Sequence, residues 1–209
     1  MRIESLSKQP DRVGRFAVKF DDGTSMRLYR QTVEDFGLYT GMELSEEEMA
    51  SLRSSAGQLS AKMRAVRIVS ASGVSKSDLE RRLIQKGEDP SQAREAVRWM
   101  SDLDLLDDAK TATQIVHSCV SKGYGIARAK QALYEKRIPK QYWDAALRDY
   151  PDQNQHILSY LRSKLHDSQN PKELRKVIDA LQRRGHSYRD IRRALDQLDL
   201  CTDEFQEEY

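Results

Sequence analysis

Hydrophobic and polar positions follow two different periods along the chain. Near the start, Phe16, Val18 and Phe20 alternate with Arg15, Ala17 and Lys19, the period of two that lets a strand bury one face. Asp22-Gly23 follows, a hairpin turn signal because Gly takes positive φ without strain. Ser25 to Arg30 is predicted as the return strand, with Met26 and Leu28 on the side of Phe16, Val18 and Phe20. A two-stranded ribbon is marginal in water, so a third strand over Arg2 to Ser7, or a helix, is expected to cover it.

From Gln31 the pattern turns helical. Ser45 with Glu48 reads as a capping box opening a short helix, and a longer one is predicted over about 58–71 with Leu59, Met63, Val66 and Val69 on its inner face. Beyond that the chain repeats itself. With Gly87, Arg137 and Gly185 taken as equivalent, the copies lie fifty and forty-eight residues apart. Leu83, Leu133 and Leu181 then align, as do Ala93, Trp143 and Ile191; Ala96, Ala146 and Ala194; and Val97, Leu147 and Leu195. Several columns in register over three copies mark a true internal repeat.

Each copy parses as three helices, over about 58–71, 75–86 and 90–103; 108–121, 125–136 and 139–148; 153–167, 171–184 and 187–197. Pro90, Pro139 and Pro171 suit a first helical turn, where a missing N–H costs nothing. Asp89, Asn170, Ser75 and Ser187 are expected N-caps. Gly73, Gly87, Gly123 and Gly185 are expected left-handed helix ends. A three-helix unit of this size buries little area alone, so copies should pack on their neighbours. The predicted fold is mainly α: three tandem three-helix, helix-turn-helix-like repeats in an elongated curved array, with a small N-terminal β-hairpin extension. The expected divisions are 1–56 (hairpin and short helix), 57–106, 107–150 and 151–199 (the three repeats), and 200–209 (an acidic tail).

Composition adds charge to this picture. Charged residues make up 33% of the 209 and aromatic ones 7%, a lean core under a charged surface, which suits thin helical layers better than an enzyme built around a deep pocket. The net charge of +2 is uneven: residues 57–200 hold 27 Lys/Arg against 19 Asp/Glu, and residues 201–209 hold four acidic residues and no basic one. A basic body favours polyanionic or acidic partners. Cys119 and Cys201 lack further cysteines at metal-ligand spacing, so free thiols in the cytoplasm are expected. The start of the chain lacks a signal peptide's apolar core, and no membrane association is expected.

Candidate chemistry is thin. His117, His156, His166 and His186 are scattered, without HExxH or paired Cys, and neither GxGxxG nor GxxxxGK[ST] occurs. Asp107-Asp108 is read as a helix cap, not as a metal or acid–base pair. No catalytic residues, metal or cofactor are expected. Trp99, Trp143, Tyr134 and Tyr142 are read as core.

Binding residues are sought among the cations. Lys122, Arg128 and Lys130 border Gly123-Tyr124-Gly125, where a helix start could leave N–H groups open to an anion, or two glycines could simply end one helix and begin another. Arg175, Lys176, Arg183, Arg184, Arg189, Arg192 and Arg193 concentrate charge in the third repeat. Arg suits bidentate contact with carboxylate or phosphate, and a solvated helix face is the alternative.

Leu106-Asp107-Asp108-Ala109-Lys110-Thr111-Ala112, then Lys122-Gly123-Tyr124-Gly125, then Lys130, Leu133, Arg137 and Ile138 form an order that resembles the signature of the RecX family of recombinase regulators. Leu79, Leu83, Gly87 and Val97 resemble its first repeat, and the segment around Gly185 its third. Arg137 departs from the Gly that many relatives carry in this turn. The resemblance implies docking in the helical groove of a RecA-type recombinase filament on single-stranded DNA, and a non-enzymatic monomer is expected. The expected effects are reduced ATP hydrolysis, strand exchange or co-protease activity. A direct, weak DNA-binding protein and a protein-only helical scaffold are the rival readings.

Overall fold

The computed structural model describes residues 1–8, 13–167 and 170–198. The expected acidic tail and Cys201 lie outside them. The chain divides into two compact units, Met1–Leu106 and Asp107–Tyr209.

The first unit opens with a three-stranded antiparallel sheet in the order β1 (Ile3–Lys8), β2 (Phe16–Phe20), β3 (Ser25–Leu28). Phe16 faces Leu28 and Val18 faces Met26 across the predicted hairpin. At its turn Asp22 accepts from the Thr24 hydroxyl and backbone N–H, and those bonds hold its carboxyl below the usual range. Ile3, Val18, Phe20 and Leu28 are buried against Leu38, Leu44, Met49 and Leu52, which cover the sheet's apolar face. Leu52 comes from α2 (Glu46–Ala71), and α1 (Arg30–Asp35) precedes it.

The two helices expected at 45 and 58 are one. Ser45 and Glu48 form the full capping box, and the helix runs on through Gly57 without a break. A Cβ at Gly57 would lie 2.3 Å from Gln92 Oε1, so the Gln92 side chain of α4 (Pro90–Asp102) fills the space beside it. Close approach also moves the inner face. Ala61 and Ala65 are buried, Val66 and Val69 lie at the flank, and Met63 is exposed, where Leu59, Met63, Val66 and Val69 were expected to form the stripe. Gly73 is not in the left-handed region; the chain leaves α2 through Ser72 in an extended conformation. With α3 (Lys76–Gln85), these helices enclose Leu79, Leu83, Ala93, Ala96 and Met100. Burying each Leu contributes roughly 1.5–3 kcal/mol.

The second unit carries two further triads, each with its own core. The first comprises α5 (Asp108–Ser121), α6 (Ile126–Glu135) and α7 (Trp143–Leu147), around Ala112, Val116, Ala129 and Leu133. The second comprises α8 (Asn154–Lys164), α9 (Pro171–Arg183) and α10 (Tyr188–Asp196), around Leu161, Leu174, Leu181 and Ile191. Ser75, Asp89, Asp107, Asn170 and Ser187 all cap as expected, each accepting backbone N–H groups of the following turn.

The repeat is written in the turn that joins the second and third helices. Gly87 N–H donates to Ile84 O (2.9 Å) and Glu88 N–H to Leu83 O (3.1 Å); Arg137 to Tyr134 O (2.9 Å) and Ile138 to Leu133 O (3.0 Å); Gly185 to Gln182 O (2.8 Å) and His186 to Leu181 O (3.2 Å). This is the paired bonding of a Schellman helix end, which requires positive φ at one residue. Gly87 and Gly185 have φ of 89° and 88°, and Arg137, lacking glycine's freedom, still takes 54°. The next residue but one separates the copies. Asp89 and Ser187 cap the third helix with side-chain oxygens, but Pro139 stands in their place and offers none. Pro139 therefore sits ahead of the helix, not within its first turn. The chain winds as a 3-10 turn, Lys140–Tyr142, before α7 begins.

Candidate functional site

The Gly123-Tyr124-Gly125 turn does not present an open anion site. Gly125 N–H donates to Arg184 O at 3.0 Å and Ala127 N–H to Gly185 O at 3.3 Å. The carbonyl end of α9 thus meets the N–H end of α6, satisfying orphan groups of both helices and opposing their dipoles favourably. A Cβ on Gly125 would fall 1.9 Å from Gly185 O, and one on Gly185 2.3 Å from Arg128 N. Only glycine fits at either place.

Side chains close around this joint. His186, buried, lies with Nε2 3.0 Å from Gly123 O. Burial pushes its pKa down, and Arg184 and His156 add to that, while the Gly123 bond and Asp190 act the other way. The neutral ring with Nε2–H donating to the carbonyl fits these surroundings. The Tyr150 hydroxyl donates to Tyr124 O at 2.7 Å, and burial pushes its pKa up to about 12. Arg184 lies over the rings of Tyr124 and Tyr160, at 5.6 and 4.8 Å from their centroids. A cleft of about 300 Å³ opens beside the joint, walled in part by Tyr150, Gln153, His186 and Arg193. Arg193 lies 3.5 Å from Asp152 and 3.4 Å from Asp190, so the charges in the cleft wall are paired with one another.

The ten predicted binding residues differ in their surroundings. Arg184 and Arg193 are engaged at the joint. Arg128 is half-buried and pairs with Glu135 at 3.2 Å, whose carboxyl is held down first by the Gln131 hydrogen bond and then by Arg128. Lys122, Lys130, Arg175, Lys176, Arg183 and Arg189 are exposed, and Arg192 is half-buried. Lys122 sits at the end of α5 and Lys130 on α6; Arg175, Lys176 and Arg183 belong to α9, and Arg189 and Arg192 to α10.

Two features escaped the sequence. His186 looked like one of four isolated histidines, and nothing local reveals that it reaches Gly123, sixty-three positions away. Tyr134 was assigned to the core, but it is 68% exposed. Trp143 and Tyr142 do pack on the core of their triad, and Trp99 on that of the first unit. The outward position of Tyr134 could have been read from spacing, since it follows the invariantly apolar Leu83/Leu133/Leu181 column by one residue.

Among the described residues, no three His, Cys, Asp or Glu side chains gather as metal ligands would, and no helix is long and apolar enough to cross a membrane. Cys119 is buried, and burial raises its pKa despite Lys122 and Arg128 nearby.

Comparison with known proteins places this arrangement. Residues 107–147 match the family model described as RecX, second three-helix domain. The regulatory protein RecX of Clostridioides difficile is 26% identical over 94% of both chains. That of Vibrio campbellii is 29% identical over 66% of this chain and 90% of its own. Among solved structures, a regulatory protein RecX superposes with a TM-score of 0.60 at 19% identity, covering 93% of this chain and 98% of that one. RecX from Lactobacillus salivarius superposes at 0.58 and 22% identity, covering 70% and 99%. The family likeness in the sequence is thus supported: α5 to α7 match the model of the second three-helix domain of RecX, and the helical fold with its small sheet is like that of the RecX structures.

Proposed function

We propose that the chain regulates a RecA-type recombinase by binding its filament on single-stranded DNA, without catalysing a reaction of its own. The observation that carries this reading is the likeness to proteins named regulatory protein RecX along nearly the full length of the chain. In this reading the three triads are successive docking modules, with boundaries near 57, 107 and 151, and the cations contact an acidic filament surface or DNA phosphates. Lys122 and Lys130 would serve from the second triad, and Arg175, Lys176, Arg183, Arg189 and Arg192 from the third. Arg128, Arg184 and Arg193 would act chiefly by holding their own helices in place, because each is already engaged within the chain. The protein would work as a cytoplasmic monomer.

The test mixes the protein with RecA, single-stranded DNA and ATP, and follows hydrolysis and filament length. A dose-dependent fall in hydrolysis, or a change in filament length, is expected. Neither effect at several-fold excess over recombinase protomers overturns the proposal. Reversing Arg189 and Arg192 to Glu should weaken the effect and leave the helical circular-dichroism signal intact.

A further inference from the structure

Tyr134 stands out among the aromatic side chains of the second unit. Tyr124, Tyr142, Trp143 and Tyr150 pack against the core of their triad, and Tyr160 against that of the next. Trp143 Nε1–H donates to Ile138 O at 3.0 Å, Tyr150 donates to Tyr124 O, and Arg184 covers Tyr124 and Tyr160. Tyr134 joins neither cluster and leaves 68% of its surface to solvent, on the outer face of α6. A single exposed aromatic residue is ordinary; its neighbours are what give this one meaning.

Lys130, exposed, lies one helical turn before Tyr134 on the same side of α6. Arg137, exposed, follows three residues later, in the left-handed position that ends the helix. The carboxylate in this stretch, Glu135, is drawn aside by Arg128 and Gln131. A planar aromatic face is thus flanked by cations on both sides. The equivalent positions do not repeat this combination. The first triad places Ile84 at the tyrosine position with Glu80 at the lysine position, and the third places Gln182 and Ile178 there.

We propose that the outer face of α6 binds single-stranded nucleic acid, with an unpaired base stacked on Tyr134 and flanking phosphates on Lys130 and Arg137. The chemistry selects this partner. Every base offers a π-face, and stacking on an exposed aromatic residue needs bases free of a duplex. The cations match the phosphates that accompany such bases. A duplex keeps its bases stacked on each other and can meet only the cations. This contact needs no recombinase, so it stands or falls separately from the regulatory role.

The experiment measures fluorescence anisotropy of labelled oligo(dT), and of a duplex of equal length, with the full chain at low salt. Tyr134→Leu keeps an apolar, helix-compatible side chain and removes the aromatic face; Tyr134→Phe keeps the face and removes the hydroxyl. Tyr134→Leu should weaken oligo(dT) binding about tenfold, and Tyr134→Phe should stay within about twofold of the unaltered chain. Duplex binding should be unchanged in both. Lys130→Gln should lower the slope of log affinity against log salt by about 0.7. The proposal is overturned if the chain does not bind oligo(dT) at low salt, or if Tyr134→Leu binds it as the unaltered chain does. Equal losses on oligo(dT) and duplex also overturn it, because they place the contact on the backbone instead of the base.

Discussion

Gly87 and Gly185 occupy the same place in two copies of one repeat, with the same backbone conformation and the same pair of helix-ending hydrogen bonds. Around Gly87 nothing lies within 4 Å of the position a Cβ would take; around Gly185 the backbone of Arg128 fills it. One glycine is present for its dihedral angle alone. The other is present for its angle and for the absence of a side chain, because α6 begins where that side chain would be. The difference between them separates a device for ending a helix from a device for joining two triads.

Substitution by alanine should resolve the two roles, and with the largest effect of any change considered. Gly87→Ala meets only the left-handed strain, about 1 kcal/mol. Gly185→Ala adds a backbone clash that local side-chain movement cannot relieve, for a total of about 3 kcal/mol or more. Gly125→Ala, pressed against Gly185 O from the other side, should behave like Gly185→Ala even though its own φ is an ordinary −75°. Denaturant midpoints of the three variants measure this. Equal losses at Gly87 and Gly185 would mean that the joint contributes no stability.

The residue after each left-handed position extends the comparison. It is Glu88 in the first copy, Ile138 in the second and His186 in the third, and all three are buried. Ile138 simply joins the core. Glu88 accepts from the Ser60 hydroxyl at 3.0 Å and pairs with Arg64 Nε at 2.8 Å, while Arg64 also donates to Lys86 O, so α2 is tied to the end of α3. Removing Arg64 leaves a buried carboxylate with only Ser60, and Arg64→Ala should cost about 2 kcal/mol. Replacing both partners at once, Arg64→Met with Glu88→Ile, should be close to neutral, because an apolar pair avoids the desolvation of both charges. A double variant as unstable as Arg64→Ala would show that the pair does more than offset its own desolvation.

What could be read from the sequence follows the distance over which each feature is determined. Caps and left-handed helix ends depend on residues within five positions, so Asp89, Asn170, Ser187, Gly87 and Gly185 were legible, as was the hairpin around Asp22-Gly23. The strands and the triads followed because their apolar columns recur. Gly125 was legible as the start of a helix, but its contact with the end of α9 was not, because α9 lies far along the chain; the continuity of α2 through Gly57, beside the Gln92 side chain of α4, escaped for the same reason. Pro139 misled for a local reason, standing where its neighbours in the repeat place a capping oxygen. The ten candidate cations were found by charge. Charge alone did not tell the half-buried Arg128 and Arg184 from the exposed cations.

Arg137 offers the middle-sized test. It does with an ordinary side chain what glycine does in the other two copies, at φ 54°. Arg137→Gly should stabilise the protein by about 1 kcal/mol through relief of that strain. The substitution also removes a cation from the α6 face, so greater stability with weaker oligo(dT) binding is the expected pairing. Loss of stability would show that the arginine side chain makes a contact worth more than the strain.

The smallest effect belongs to His186 and depends on pH. Its pKa is lower in the folded chain than the ordinary 6.5, first because the ring is desolvated. The unfolded chain then binds the proton more readily than the folded one, so stability rises with pH across the interval between the two values. The contribution is complete above about pH 6.5 and is lost as pH falls through the lower, folded value. His186→Gln keeps an N–H that can donate to Gly123 O but cannot titrate. On acidification from pH 7.5 the unfolding free energy of the parent should therefore fall relative to that of the variant, because only the parent carries a ring that the unfolded chain protonates more readily. His156, Asp190 and Arg184 are present in both proteins, so the difference isolates the one ring. Parallel pH profiles would mean that His186 takes up its proton equally well folded and unfolded, and that the bond to Gly123 is no more protected from water than the exposed turn at Gly87.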